Sequence, residues 1–407
     1  MILRLLIFIA FIIGIDIYAF QAYTAVFTDG PVLRLIYFGI TVLSLGSLII
    51  FFNFQLRERL KLSRQATASV AFMGFSPKLF TAIFLIPEEP FRLARFFIEW
   101  MNSSWEIALQ TSIPHSRVWS LIAIILASAL TLSFIYGALF NVYRYSTKRV
   151  KLNINNLAPT FEGLTIVQIS DIHSGSLSDK DAVKKGVDKI NAIDPDIIFF
   201  TGDLVNNIAD EALFLKDTLG QLKAKHGVFS ILGNHDYGDY YYWETQSDKD
   251  KNLELLKTIQ KEMGWKLLLN EHQIIESDGH HLVIAGVENW SASDRFPKYG
   301  RLNDAFAGAP AHATKLLLSH DPSHWKAQVL HHEVDIDAMF SGHTHGMQFG
   351  IELGNFRWSP VQYVYKQWAG LYKEAGKYLY VNRGFGVIGY PGRVGILPEI
   401  TIFQLSK

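Results

Sequence analysis

Five short blocks of this 407-residue chain carry side chains suited to holding cations: Asp171-Ile172-His173, Gly202-Asp203, Gly233-Asn234-His235-Asp236, His320-Asp321 and Gly342-His343-Thr344-His345. Imidazole, carboxylate and amide oxygen together suit divalent transition ions such as manganese, iron or zinc rather than magnesium or calcium alone. Asp-x-His and His-x-His each present two ligands from one extended segment, because the residue between them points the other way. Asp171, His173, Asp203, Asn234, His320, His343 and His345 are too many ligands for one ion and suit two ions that share a carboxylate. Two such ions, about 3.5–4 Å apart, clamp the attacking and leaving oxygens of an in-line displacement at phosphorus. The chain has no Cys, which removes thiolate ligands, thiol catalysis and disulfides together.

The elements that must position these blocks are short, apolar and rich in β-formers. Leu164–Ser170, Asp196–Thr201, Gly227–Leu232, Lys315–Ser319 and Ile336–Ser341 each run into one block, and His281–Val287 and Tyr378–Asn382 read as further strands. Helical patterns lie between the earlier ones, at Asp179–Ala192 and Glu211–Lys225, with Asp179 and Asp181 as cap and first-turn acids. Strands alternating with helices predict an α/β layered domain, in which ligands bind at the carboxyl ends of the strands. Gly202, Gly233 and Gly342 would let the backbone turn and approach a bound group closely.

The first part of the chain has a different texture. Mean hydropathy over the whole chain is +0.14, high for a soluble enzyme. Ile2–Phe20, Leu33–Phe52 and Val118–Val142 are apolar runs near the ~20 residues that a membrane-crossing helix needs. Ala66–Ile86 is weaker, since it contains Pro77 and Lys78, and counts as a further span, third in chain order. No small-x-small cleavage site follows the first run, so it reads as an anchor rather than a signal peptide. Residues 1–150 carry 13 Lys and Arg against 7 Asp and Glu, and residues 151–407 carry 25 against 31. The expected division is therefore a transmembrane region over 1–150 and a catalytic domain over 151–407. The acidic second part argues against general nucleic-acid binding. Basic segments at Arg57, Arg59, Lys61 and Arg64, and at Arg144, Lys148, Arg149 and Lys151, place the catalytic domain in the cytoplasm if four helices span.

The ordered blocks from Asp171 to His345 closely resemble those of the calcineurin-like metallophosphoesterases, over about Leu152 to Lys407. The end of the chain, from Tyr380-Val381-Asn382-Arg383-Gly384 through Arg393 to Pro398-Glu399-Ile400, looks like the membrane-associated bacterial branch, which includes UDP-2,3-diacylglucosamine pyrophosphatase-like enzymes. The apolar runs give about four N-terminal transmembrane helices, expected in a bacterial inner membrane, and the resemblance implies that a layered β-sandwich flanked by helices follows them. It implies two divalent ions per chain, manganese first, with iron or zinc as alternatives. Asp171, His173, Asp203 and His345 would hold one ion; Asp203, Asn234, His320 and His343 the other, with Asp203 bridging. His235 would protonate the leaving oxygen, oriented by Asp236. The implied activity is hydrolysis of a phosphoester or pyrophosphate bond. A soluble-nucleotide phosphodiesterase and an inactive receptor or scaffold are the competing readings.

Two aromatic stretches adjoin these blocks. Tyr237–Trp243 follows His235, and Arg357–Tyr372 contains Trp358, Tyr363, Tyr365 and Trp368. They read either as packing over the site or as a surface at headgroup depth that would favour a lipid-linked substrate. Trp358, Trp368, Arg383 and Arg393 are accordingly candidate substrate contacts, with Arg383 and Arg393 able to meet a phosphate.

Overall fold

Strands buried on both faces read as continuous apolar runs, and that is how the chain folds beyond its membrane part. The computed structural model describes residues 2–52, 60, 64–102, 113–354 and 356–407. Arg57, Arg59 and Lys61 lie outside the described residues. The chain divides into two compact units, Met1–Tyr136 and Gly137–Lys407. This division falls before the expected 150/151 boundary. The reason is that the chain after Tyr136 is already bonded into the C-terminal unit: Asn141 Nδ2 donates to the Arg393 carbonyl at 2.9 Å, and Ser146 begins the first strand.

In the N-terminal unit, helices α1 (Ile2–Val26), α2 (Pro31–Phe52) and α3 (Arg64–Leu85) are followed by a short 3-10 turn and α4 (Glu89–Asn102), and α5 begins at Arg117 and ends at Phe140 in the second unit. Among the described residues, four stretches are long and apolar enough to cross a membrane: Ile9–Val26, Pro31–Phe52, Thr67–Met101 and Arg117–Phe140. The weak third run is helical despite Pro77. Its Lys78 is buried, with Nζ 2.8 Å from Asp16 Oδ1 on α1, 2.7 Å from the Tyr37 carbonyl on α2 and bonded to Thr41 Oγ1. Thr41 in turn donates to Asp16 Oδ2 at 2.7 Å. The charges that interrupt the apolar pattern of α1 and α3 thus meet each other.

Among the described residues the C-terminal unit has fourteen strands in chain order: β1 (Ser146–Asn153), β2 (Thr165–Ile169), β3 (Ile197–Phe200), β4 (Val228–Ser230), β5 (Lys266–Leu267), β6 (Glu271–Ser277), β7 (His280–Gly286), β8 (Thr314–Leu318), β9 (Ala338–Ser341), β10 (Ile351–Leu353), β11 (Phe356–Trp358), β12 (Gly370–Glu374), β13 (Lys377–Val381) and β14 (Glu399–Ser406). They form two six-stranded sheets, ordered β1-β14-β2-β3-β4-β5 and β12-β13-β9-β8-β7-β6, and the separate ribbon β10-β11. Ile197 and Phe199 of β3 join Phe229, Ile284, Leu316, Phe340 and Phe403 in the core between the sheets. Ile198 and Phe200, alternating with them, face the outer core with Val183, Val187 and Ile190 of α6 (Lys180–Asn191) and Leu256 and Ile259 of α7 (Gln246–Glu262). Short helical turns with Leu302, Phe306 and Trp325 cover the far face of the second sheet. The layers run helix, sheet, sheet, helix, as expected of a β-sandwich flanked by helices.

Asp179 caps α6 by accepting from Ala182 N at 2.9 Å. The helix expected at Glu211–Lys225 is broken instead into a 3-10 turn, Ala209–Ala212, and the four residues Lys216–Leu219. Glu211 turns back to accept the amides of Asn206 and Asn207, and Gly220 ends the second piece.

Candidate metal centre

The five blocks leave the carboxyl ends of β2, β3 and β4 in one sheet and β8 and β9 in the other, so they converge where the two sheets meet. Asp171, His173 and His345 form one cluster, and Asp203, His320 and His343 form the other, their ligand atoms within 4.8 Å of one another in each. His173 Nε2 lies 3.0 Å from His345 Nε2, and His345 Nε2 lies 3.3 Å from Asp171 Oδ1. Across the site, His320 Nε2 is 3.1 Å from Asp203 Oδ2, and His343 Nδ1 is 2.8 Å from Asn234 Oδ1 and 3.3 Å from His320 Nε2. Asp203 Oδ2 also stands 3.6 Å from His173 Nε2, so a single carboxylate oxygen faces both clusters.

This set fits two divalent ions. Metal–ligand distances of about 2.0–2.2 Å place neighbouring ligand atoms roughly 3.0–3.5 Å apart around one ion, the spacing seen here. His173 Nε2 and His345 Nε2, 3.0 Å apart, stand at the spacing of two ligands of one ion. His320 Nδ1 is tied to the Thr201 carbonyl at 2.7 Å, which leaves Nε2 facing the cluster. His173 Nδ1 is buried without a hydrogen-bond partner among the described residues.

The electrostatics agree. Burial disfavours charge on His320, but Asp203 and Asp171 outweigh it and lift the imidazole to about 10. Burial would raise Asp171, yet His345 and His320 hold it well below the usual carboxylate range. Burial pushes His173 and His343 down, His173 strongly. Two buried carboxylates thus draw positive charge to this spot, and a cation answers the same demand as the proton on His320.

The backbone is strained at the ligands. Asp171, His173, Asp203, His343 and His345 all take positive φ, between 49° and 71°, a region that costs a non-glycine residue of order 1–3 kcal/mol. The expected role of glycine is seen at Gly342, where an added Cβ would stand 1.9 Å from Ser170 Oγ and 2.2 Å from Asp171 Oδ2.

His235 lies beside the clusters, its ring 5.0 Å from that of His173. Its Nδ1 meets the carbonyl of Asn206 at 2.7 Å rather than Asp236. The Asp236 carboxylate instead accepts the amides of Asp203, Leu204, Val205 and Gly233 at 2.8–3.2 Å, which clamps the loop that carries Asp203. Burial first, and then the charge of Asp203, raise Asp236 to about 7. Arg383 is buried between Glu399 and Glu352. Arg393 is buried with its guanidinium on the carbonyls of Arg383, Gly384 and Gly386, behind His345. Trp368 is buried in a small core with Val361, Ala369 and Ile396, and Trp358 is half-buried on β11. The structure therefore brings the seven candidate ligands and His235 together, whereas Asp236, Arg383, Arg393 and Trp368 are buried and engaged with other groups of the fold.

Three supporting residues escape sequence reasoning. Tyr365 Oη lies 2.8 Å from His343 Nε2 and donates to Asp321 Oδ2 at 3.2 Å. Tyr240 accepts from Asn234 Nδ2 at 3.0 Å, and its ring lies 4.6 Å from that of His235. Asp321 directly follows a ligand, and both tyrosines belong to the aromatic stretches, but nothing local assigns them partners.

Residues 3–142 match a probable calcineurin-like phosphoesterase transmembrane domain, and residues 164–347 match the calcineurin-like phosphoesterase domain. The chain is 28% identical to a transmembrane protein with metallophosphoesterase domain of Danio rerio, over 71% of this chain and 63% of that protein, less than two thirds of its length. It is 29% identical to the uncharacterised metallophosphoesterase YkuE of Bacillus subtilis (strain 168), over 61% of this chain and 80% of that one. It is 27% identical to the UDP-2,3-diacylglucosamine pyrophosphatase LpxG of Chlamydia trachomatis, over 58% of this chain and 82% of LpxG.

Proposed function

The chain belongs to the calcineurin-like phosphoesterases, with the domain of that family behind a transmembrane one, and from this premise we propose that it hydrolyses a phosphoester or pyrophosphate bond of a lipid-linked substrate. The observation that carries the reading is Asp203 Oδ2, 3.6 Å from His173 Nε2 and 3.1 Å from His320 Nε2. Asp171, His173, Asp203 and His345 would hold one divalent ion; Asp203, Asn234, His320 and His343 the other, with manganese the first candidate. Bound there, the pair supplies charge neutralisation at phosphorus and a clamp on the attacking and leaving oxygens. His235 donates through Nδ1 to Asn206, which fixes its ring and keeps Nε2 free to hold a proton for the leaving oxygen. Asp236 holds the Asp203 loop, and Arg393 holds the backbone behind His345.

The lipid-linked substrate is supported by the membrane domain and by the likeness to a protein named as a UDP-2,3-diacylglucosamine pyrophosphatase. The proposed location is a bacterial inner membrane with the phosphoesterase domain in the cytoplasm. Four candidate spans and the basic segments around Arg57–Arg64 and Arg144–Lys151 support that side.

Surface-dilution kinetics test the substrate class. With the full chain and manganese in mixed micelles, turnover of a lipid pyrophosphate falls as detergent dilutes it at fixed bulk concentration. Turnover of a nucleotide but of no lipid refutes the lipid reading. In the same assay His235→Ala keeps its metals and loses about 10²–10⁴ in rate, with less loss on an aryl phosphodiester whose phenol needs no proton. Equal loss on aryl and alkyl esters removes His235 from that role.

A further inference from the structure

The ribbon β10-β11 is inside out for a surface in water. Its register pairs Ile351 with Trp358, Glu352 with Arg357 and Leu353 with Phe356, which puts the apolar side chains on one face and the charged pair on the other. The charged face is turned to the domain: Glu352 pairs with Lys148 of β1 at 3.0 Å and with buried Arg383 at 3.2 Å. The apolar face is turned outward, with Leu353 71% and Phe356 60% exposed. Tyr363, whose hydroxyl accepts from Trp358 Nε1 at 3.5 Å, is exposed beside this face, and Met347, before the ribbon, and Val364, after it, are exposed too. Water favours the opposite arrangement of both faces.

The place of the ribbon says what covers it. The last turn of α5, Gly137–Phe140, belongs to the same unit as the ribbon, and its Leu139 is 70% exposed as a lipid-facing span residue is. Arg393 N donates to the Gly137 carbonyl at 3.2 Å, Val394 N to Gln348 at 2.7 Å and Gly350 N to Val394 at 2.9 Å. The segment that enters β10 is therefore two hydrogen-bonded chain widths, about 10 Å, from the end of a membrane span. The chain enters this surface straight after His345 and leaves it at Tyr365, whose hydroxyl meets His343.

We propose that the apolar face of β10-β11, with Met347, Tyr363 and Val364, is seated in the lipid leaflet where α5 ends. This second anchor holds the metal groove at headgroup depth. Lys366, exposed just after Tyr363 and Val364, suits a phosphate headgroup. The consequence for substrate rests on the function proposed above: the phosphate attacked is one presented at the leaflet surface by a lipid that stays in the bilayer.

The absence of native Cys allows a direct test. Single variants Leu353→Cys and Phe356→Cys of the full chain are spin-labelled in phosphatidylcholine liposomes, with Leu255→Cys, on the exposed face of α7, as the water reference. Labels at 353 and 356 respond more to dissolved oxygen than to a water-soluble relaxant, and the label at 255 does the reverse. Labels at 353 and 356 that behave like the one at 255 overturn the anchor, with the phosphoesterase reading intact. Leu353→Asp lowers the ratio of liposome-embedded to soluble phosphoester turnover about tenfold, and an unchanged ratio overturns the link to substrate. Lipid-immersed labels in a protein that turns over only soluble esters keep the anchor and refute the lipid substrate.

Discussion

In the N-terminal unit, Lys78 and Asp16 are buried 2.8 Å apart, and the remaining bonds of the ammonium are taken up by Thr41 and the Tyr37 carbonyl. In the C-terminal unit, Asp171 and Asp203 are buried among His173, His320, His343 and His345, and no Lys or Arg nitrogen lies within 4.0 Å of either carboxylate among the described residues. A buried charge is tolerated when something answers it. The first cluster answers itself and is closed. The second gathers two carboxylates and four imidazoles into two groups that could each hold a cation, with only the proton on His320 to answer the carboxylates otherwise. Closure by fixed Lys, Thr and carbonyl partners marks a structural role, and convergence of ligand-type groups marks a candidate site.

The sharpest break of this contrast is Asp203→Ala. Removing the one carboxylate that faces both clusters takes bound divalent ions from about two per chain towards none, and activity falls by at least ~10³-fold. Elemental analysis reads it, and one ion kept at full occupancy refutes the bridge. The closed cluster behaves otherwise. Lys78→Met strands Asp16 and costs about 3–5 kcal/mol, whereas the double change Asp16→Leu with Lys78→Met recovers most of that stability. Thermal unfolding of the full chain in detergent measures both, and a single variant that melts like the parent shows the pair to be idle.

His324 sharpens the comparison inside the C-terminal unit, because it is a closed histidine beside open ones. Its Nδ1 meets Ser319 Oγ at 2.9 Å and its Nε2 meets Gln328 Oε1 at 2.9 Å. Burial depresses it to about 4, against the bond that its Nε2 donates to Gln328 Oε1. The neutral ring is thus favoured by the fold. The corresponding stability is complete above the unfolded value near 6.5 and is lost as pH falls from there towards 4, by roughly 3 kcal/mol. His324→Gln lacks this dependence, so the stability difference between parent and variant changes across that window. A constant difference between pH 7 and pH 4 contradicts the assignment. The smallest effect is expected of Tyr365→Phe, which removes the hydroxyl on His343 and Asp321. Metal affinity at the His343 side drops about 10–100-fold, read by metal titration, and unchanged affinity makes Tyr365 only packing.

The sequence by itself determined the seven candidate ligands, the seven strands that lead to or flank them and the four candidate spans. These features are written in local order: a β-rich apolar run followed by a ligand, or twenty apolar residues together, needs no distant partner to be recognised. Tertiary structure alone decided the pairings. Asp16 and Lys78 weaken their own runs and are explained only when α1 and α3 pack. His235 finds the Asn206 carbonyl and Asp236 finds four amides, because closure of the loops after β3 and β4 sets which groups face each other. Arg383 and Arg393 are exposed phosphate binders or buried braces with the same local sequence, and the burial that separates those roles comes from β13, β14 and the Gly384–Gly386 backbone closing over them. The β10-β11 ribbon is the plainest case. Its alternation marks two faces, but which one meets the protein depends on Lys148 and Arg383, far away along the chain, and on the sheets that bring them there.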